Sequence, residues 1–239
     1  MKKLLVAISF YTRIPIHLKS EVTEDDFFSS MRLIPVVGIL IGGVLAGLFW
    51  LLKSVPDDIR GLTLAVAYIL LSGGLHIDGF MDSMDGLLSN RPKDRVFEIM
   101  KDSRVGAFGV LGILVLFSLL TVFLKYADWW MVFLFPVVGR SGALISASMT
   151  EYAKEKKELG ARFMDDTKPI HGLLAGVLAV AVALPASFYH AGAVALAFLG
   201  TFIVTKWTVS KIGGNTGDTI GMVIEVTQAI FLVAAFYIV

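Results

Sequence analysis

Gly73-Gly74-Leu75-His76-Ile77-Asp78-Gly79-Phe80-Met81-Asp82-Ser83-Met84-Asp85-Gly86 emerges from the apolar run Gly61 to Ile77. A run of that length is a candidate membrane span. Three carboxylates and a histidine at its end stand where charge is costly. Asp78, Asp82 and Asp85 fall at i, i+4 and i+7, so on a helix they share one face within roughly 60°. Such a face repels itself unless a cation sits on it. Oxygen donors in a chain without cysteine point to a hard divalent ion, Mg²⁺ or Mn²⁺, rather than zinc.

The rest of the chain supports a membrane setting. Its 239 residues are 56% hydrophobic, with a mean hydropathy of +0.77, well above a soluble domain. Apolar segments at Leu33 to Leu52, Gly61 to Ile77, Gly106 to Leu124, Trp129 to Ser148, Ile170 to Tyr189, Gly192 to Val209 and Thr219 to Val239 predict an all-α, polytopic membrane bundle of about seven crossings. No linker divides residues 1–239, so one membrane domain is expected. Met1 to Lys19 reads as an interfacial helix, because Arg13 interrupts it and no cleavage site follows. Trp50, Trp129, Trp130, Tyr189 and Trp207 lie near span ends as headgroup anchors. A net charge of +1 excludes a basic nucleic-acid surface.

Basic residues set the orientation. Seventeen lysines and arginines fall on one side of the predicted spans, three on the other, and Arg140 lies within a span. Loops rich in Lys and Arg stay cytoplasmic, so a cytoplasmic N-terminus in the cell membrane is expected. The Asp78 cluster, the loop through Arg104 and the loop Gly213 to Asp218 then share the cytoplasmic face.

Three further groups carry chemistry. Lys101-Asp102-Ser103-Arg104-Val105-Gly106-Ala107-Phe108-Gly109 leads into a helix start, where a phosphate can take both the Arg104 fork and the open backbone amides. An ordinary juxtamembrane pair of Asp102 and Arg104 is the plain alternative. Arg140 needs a carboxylate or a substrate phosphate as partner, and Glu225, two turns beyond Asp218 on one helix face, is a candidate. Gly213-Gly214-Asn215-Thr216-Gly217-Asp218 allows a backbone curled around a ligand, or simply a helix capped by Thr216 or Asp218. His76 is a candidate base or phosphate donor. Together these groups suit phosphoryl or phosphodiester transfer with Mg²⁺.

At these motifs, and at Tyr11-Thr12-Arg13-Ile14-Pro15, the sequence resembles the cobalamin synthase family, adenosylcobinamide-GDP ribazoletransferase. The resemblance implies transfer of the cobinamide phosphate of adenosylcobinamide-GDP to α-ribazole or its 5′-phosphate, with release of GMP and a requirement for Mg²⁺. It implies metal binding by Asp78, Asp82, Asp85, Asp218 and Glu225. Substrate contacts fall to Arg104, Arg140, Asn215 and Thr216, and Asp102 and His76 are catalytic candidates. Phe80, Met81 and Met84 are bulkier than the family pattern, and Gln228 replaces a carboxylate, which sets it outside the expected site. A homo-oligomer is open. The competing readings are another Mg²⁺-dependent membrane phosphotransferase, a prenyltransferase, and an ion-coupled transporter using Arg140 and Glu225.

Overall fold

The computed structural model describes residues 1–18, 20–154 and 159–239. Lys19, Lys156 and Lys157, counted in the charge asymmetry, lie outside the described residues. Twelve helices are present among those described: α1 Lys2–Tyr11, α2 Glu24–Met31, α3 Ile34–Leu51, α4 Asp57–Ser72, α5 Leu75–Leu88, α6 Lys93–Met100, α7 Ala107–Tyr126, α8 Trp129–Ser148, α9 Leu159–Asp166, α10 Pro169–Ala183, α11 Phe188–Ile212 and α12 Gly217–Ile238. Five of them, α3, α7, α8, α11 and α12, are long and apolar enough to cross a membrane. The bent pairs α4–α5 and α9–α10 raise the number to seven if each is one span.

The core is built on α8, which packs against α3, α10 and α12. α8 and α12 are 83% and 72% buried, against 28% for α7 and 33% for α11. The difference is what lipid contact predicts: α7 turns Leu111, Leu114 and Val115 outward, and α11 does the same with Leu199 and Ile203. In water such faces would form an aggregation-prone patch. Against acyl chains they are satisfied.

The run Gly61 to Ile77 does not continue as one straight crossing. It breaks at Gly73 and Gly74, with φ of 69° and 74°, a left-handed pair that side chains with a Cβ resist. α5 leaves α4 at 95°. The acidic residues therefore ride on a separate helix laid across the bundle end, in contact with α12, α7 and α6. The predicted span Ile170 to Tyr189 also stops early, at Ala183, and Tyr189 lies in the first turn of α11. Likewise the N-terminal helix ends at Tyr11, burying Val6, Ala7 and Tyr11 against the protein, and Arg13 N–H donates to Leu71 O at 2.9 Å. That bond ties the N-terminal segment to the elbow.

Two glycines set how closely α5 meets α12. A Cβ on Gly79 would stand 2.8 Å from Asp218 Cα, and one on Gly221 2.9 Å from His76 O. Small residues at such crossings let helix backbones touch. As a result Asp218, at the start of α12, is carried beside the acidic face of α5.

Polar groups gather at both ends of the bundle. At one end Asp58 pairs with Lys125 at 2.6 Å, and Asp128 caps α8 and meets His190 Nε2 at 3.1 Å. At the other lie the elbow, the α6–α7 loop and the segment 213–218. There Tyr152 and Asn215 form a single β-bridge.

Candidate functional site

The acidic residues divide into three environments. Asp78 is exposed and Asp82 half-buried. The charges acting on Asp82 are those of Asp78, Asp218 and Asp85, none of them positive. Asp218 thus joins the face from α12. Among the described residues no three His, Asp or Glu side chains converge tightly enough to cage an ion by themselves.

Asp85, also assigned to the metal by sequence, is buried and engaged. Its Oδ2 accepts from Gly106 N–H at 2.7 Å and its Oδ1 from Gly109 N–H at 2.8 Å. A carboxylate on the first turn of α7 satisfies donors that have no partner within the helix and meets the positive end of its dipole. The anion expected at this helix start is therefore the protein's own. Gly106 and Gly109 are required there because a Cβ on either would collide with the Asp85 carboxylate. Asp85→Ala is expected to lower stability by about 3 kcal/mol, from two charge-assisted bonds lost. Asp85→Asn, which keeps one good acceptor, should fall between it and wild type in detergent thermal unfolding.

Arg104 is exposed, and its guanidinium fork is engaged by a neighbour. Its Nε and Nη2 donate to Asp102 Oδ1 and Oδ2 at 3.0 and 2.8 Å, on the exposed loop that Asp85 anchors. The plain pairing is what forms. Arg104 hydrogen bonds hold the Asp102 carboxyl down at about 2, which makes it a weak base while the pair is closed.

Asn215 and Thr216 are fully buried. Asn215 Nδ2 donates to Ser146 Oγ and Thr150 Oγ1, both at 2.9 Å, and its Oδ1 accepts from Thr219 Oγ1 at 3.0 Å. Thr216 caps α12 in a reciprocal arrangement with Thr219. Both side chains are thus engaged in shaping the loop, the capped-helix alternative, and neither lines a cavity described below.

Arg140 and Glu225 lie deeper and are wholly buried. They do not form a direct pair. Arg140 Nη1 donates to Gln228 Oε1 at 3.2 Å, while Gln228 Nε2 donates to Glu225 Oε2 at 3.0 Å and to Tyr68 Oη at 2.7 Å. Tyr68 Oη in turn donates to Glu225 Oε1 at 2.6 Å. The Arg140 guanidinium also lies 5.8 Å from the Tyr68 ring centroid. Gln228, set aside by sequence because it is neutral, is the bridge: its amide is both acceptor for the cation and donor to the anion. Glu225 is consequently engaged away from the α5 carboxylates.

Two cavities meet at Asp78. One, of about 520 Å³, is lined by Ser9, Thr12, Arg13, Ser72, Gly73 and Asp78 among others. Arg13 Nη2 is 3.5 Å from Gly73 O, at the outer limit of a hydrogen bond, and brings a cation into the cavity that Asp78 also lines. Sequence reasoning did not single out Arg13 for the site, although it stands within the Tyr11 to Pro15 motif. The second, of about 250 Å³, runs from Asp78 and Asp218 past His76 into aromatic and aliphatic side chains. His76 is buried, with its Nδ1 lacking a partner among the described residues.

The cobalamin-5-phosphate synthase family model matches residues 3–236. A relative from Clostridium acetobutylicum, named adenosylcobinamide-GDP ribazoletransferase, is 37% identical over 242 residues, covering 98% of this chain and 96% of its own. Relatives of the same name from Alkaliphilus oremlandii and Acetivibrio thermocellus are each 38% identical. These cover 99% and 100% of this chain, and 97% and 98% of their own. No solved structure matches. With its helical bundle, its motifs and this full-length similarity, the chain belongs to the cobalamin-5-phosphate synthase family.

Proposed function

We propose that this chain transfers the cobinamide phosphate of adenosylcobinamide-GDP to a ribose hydroxyl of α-ribazole or its 5′-phosphate, at the face formed by Asp78, Asp82 and Asp218. The new bond joins the ribose oxygen to the phosphorus nearer the cobinamide, the bond from that phosphorus to the bridging oxygen breaks, GMP leaves with the bridging oxygen on its phosphate, and the hydroxyl proton passes to solvent. The observation that carries this reading is the junction at Asp78, where an acidic face, an arginine-bearing cleft and a smaller cavity meet in a chain of this family.

The donor chemistry suits Mg²⁺. Oxygen-only carboxylates from two helices, Asp78 and Asp82 on α5 and Asp218 on α12, act on one another at Asp82. The lack of a three-ligand cage also suits an ion held through one or two carboxylates and substrate phosphates. Asp78, Asp82 and Asp218 would hold it. When bound, the ion neutralises charge on the diphosphate and on departing GMP. Arg13 supplies a guanidinium for the diphosphate in the larger cleft, and Asp102 holds Arg104 rather than removing the hydroxyl proton. Neither transport nor prenyl transfer gains support from the family match.

Purified protein in liposomes, given adenosylcobinamide-GDP and α-ribazole, is expected to release GMP and form the cobalamin product with Mg²⁺ and to stop with chelator. Folded protein that releases no GMP under either condition would overturn the reading. Arg13→Ala should raise KM for adenosylcobinamide-GDP about tenfold or more, the loss of one charge-assisted contact. Its KM for α-ribazole should move less, as steady-state GMP release will read.

The reactive face is assigned to the cytoplasm, supported by the concentration of Lys and Arg at that end. The chain lacks cysteine, which makes a clean test available. In intact cells a cysteine at Ser103 should be shielded from an impermeant thiol reagent, and one at Ser54 labelled.

A further inference from the structure

The 250 Å³ cavity is too small for both substrates. Drug-sized ligands occupy roughly 300–1,000 Å³, and a corrin macrocycle is far larger than this space. A fused bicyclic base fits. The walls divide by chemistry: Phe10, Tyr11, Tyr152 and Phe163 supply rings, while Asp78 and Asp218 stand where the polar part of a ligand would lie. Tyr11 is buried with its ring centroid 5.7 Å from that of His76. The imidazole is therefore fixed against the wall, with its Nδ1 buried and unpartnered.

A buried ring nitrogen without a partner calls for one from a ligand. Resting on the reaction proposed above, we propose that this cavity seats the benzimidazole base of the ribazole nucleoside, with His76 Nδ1–H donating to the ring nitrogen that carries no sugar. The aromatic walls hold the flat base by offset or edge contacts, which are tolerant of ring identity. His76 supplies the discrimination, because a group built to hydrogen-bond one atom rejects an analogue that lacks it. The sugar then points toward Asp78, bringing its hydroxyl to the junction with the arginine-bearing cleft.

The test compares α-ribazole with the isosteric nucleoside of 5,6-dimethylindole, whose ring has CH in place of the free nitrogen. Full-length protein in liposomes is supplied with adenosylcobinamide-GDP and Mg²⁺, and kcat/KM is read from GMP release. Wild type should prefer α-ribazole by at least about tenfold, and His76→Leu should bring the ratio to within about threefold of one. Ile224→Phe, which fills the same cavity, should raise KM for α-ribazole more than KM for adenosylcobinamide-GDP.

Equal use of both nucleosides by wild type, or undiminished preference in His76→Leu, would overturn the inference while leaving the reaction intact. Failure of wild type to turn over α-ribazole would overturn the reaction and the inference with it. The wild-type comparison needs no variant, so a poorly folded His76→Leu protein does not remove the test.

Discussion

Asp82→Ala is expected to reduce GMP release by about a thousandfold, which corresponds to about 4 kcal/mol of transition-state stabilisation, without unfolding the protein. The catalytic loss follows from the place of Asp82 between Asp78 on its own helix and Asp218 on α12, where a divalent ion would meet the diphosphate. The structural tolerance follows from the same geometry. The Asp82 carboxylate accepts no hydrogen bond among those described, and the charges acting on it are negative. Removing it relieves repulsion, so the unfolding temperature without metal should stay level or rise. A lower unfolding temperature with unchanged turnover would assign Asp82 to the scaffold instead.

Gln228→Leu is expected to produce the reverse pattern, a large loss of stability. Gln228 joins Arg140 to Glu225 and Tyr68 through three hydrogen bonds in a fully buried network. Leucine fills similar volume but leaves a cation and a carboxylate in the bundle interior without their common partner. Breaking such a buried arrangement costs about 3–5 kcal/mol. Thermal unfolding in detergent should register the drop, with Gln228→Glu closer to wild type because it restores an acceptor for Arg140. If Gln228→Leu unfolds with wild type, the network contributes no stability.

The transmembrane pattern was legible because hydropathy is a local property. Trp129 to Ser148 coincides with α8, and Leu33 to Leu52 exceeds α3 by one residue at each end. The 95° elbow was not legible from hydropathy, since bending leaves composition unchanged. The Gly73-Gly74 pair was its only local sign. Direction then decides partners. Asp82 and Asp85 look alike in sequence, yet one faces carboxylates and the other caps a helix that begins more than twenty residues later.

Spacing left Arg104 open to a phosphate or to Asp102 two residues away, and the fold of the loop forms the pair. Gln228 was set aside for lacking charge, although a neutral amide alone can serve a buried cation and anion together. Arg13 acquires its place only when the chain after α1 folds back onto the elbow. All three depend on who stands opposite, which spacing along the chain does not contain.

The most direct test of the central claim follows the phosphorus. Adenosylcobinamide-GDP carrying radioactive phosphorus in the phosphate nearer the cobinamide is incubated with α-ribazole, Mg²⁺ and either wild type or Asp82→Ala in liposomes. The account predicts that all transferred label enters the cobalamin product, that GMP is unlabelled, and that Asp82→Ala transfers almost none. Label appearing in a guanine nucleotide or in free phosphate, or equal transfer by the variant, would contradict it.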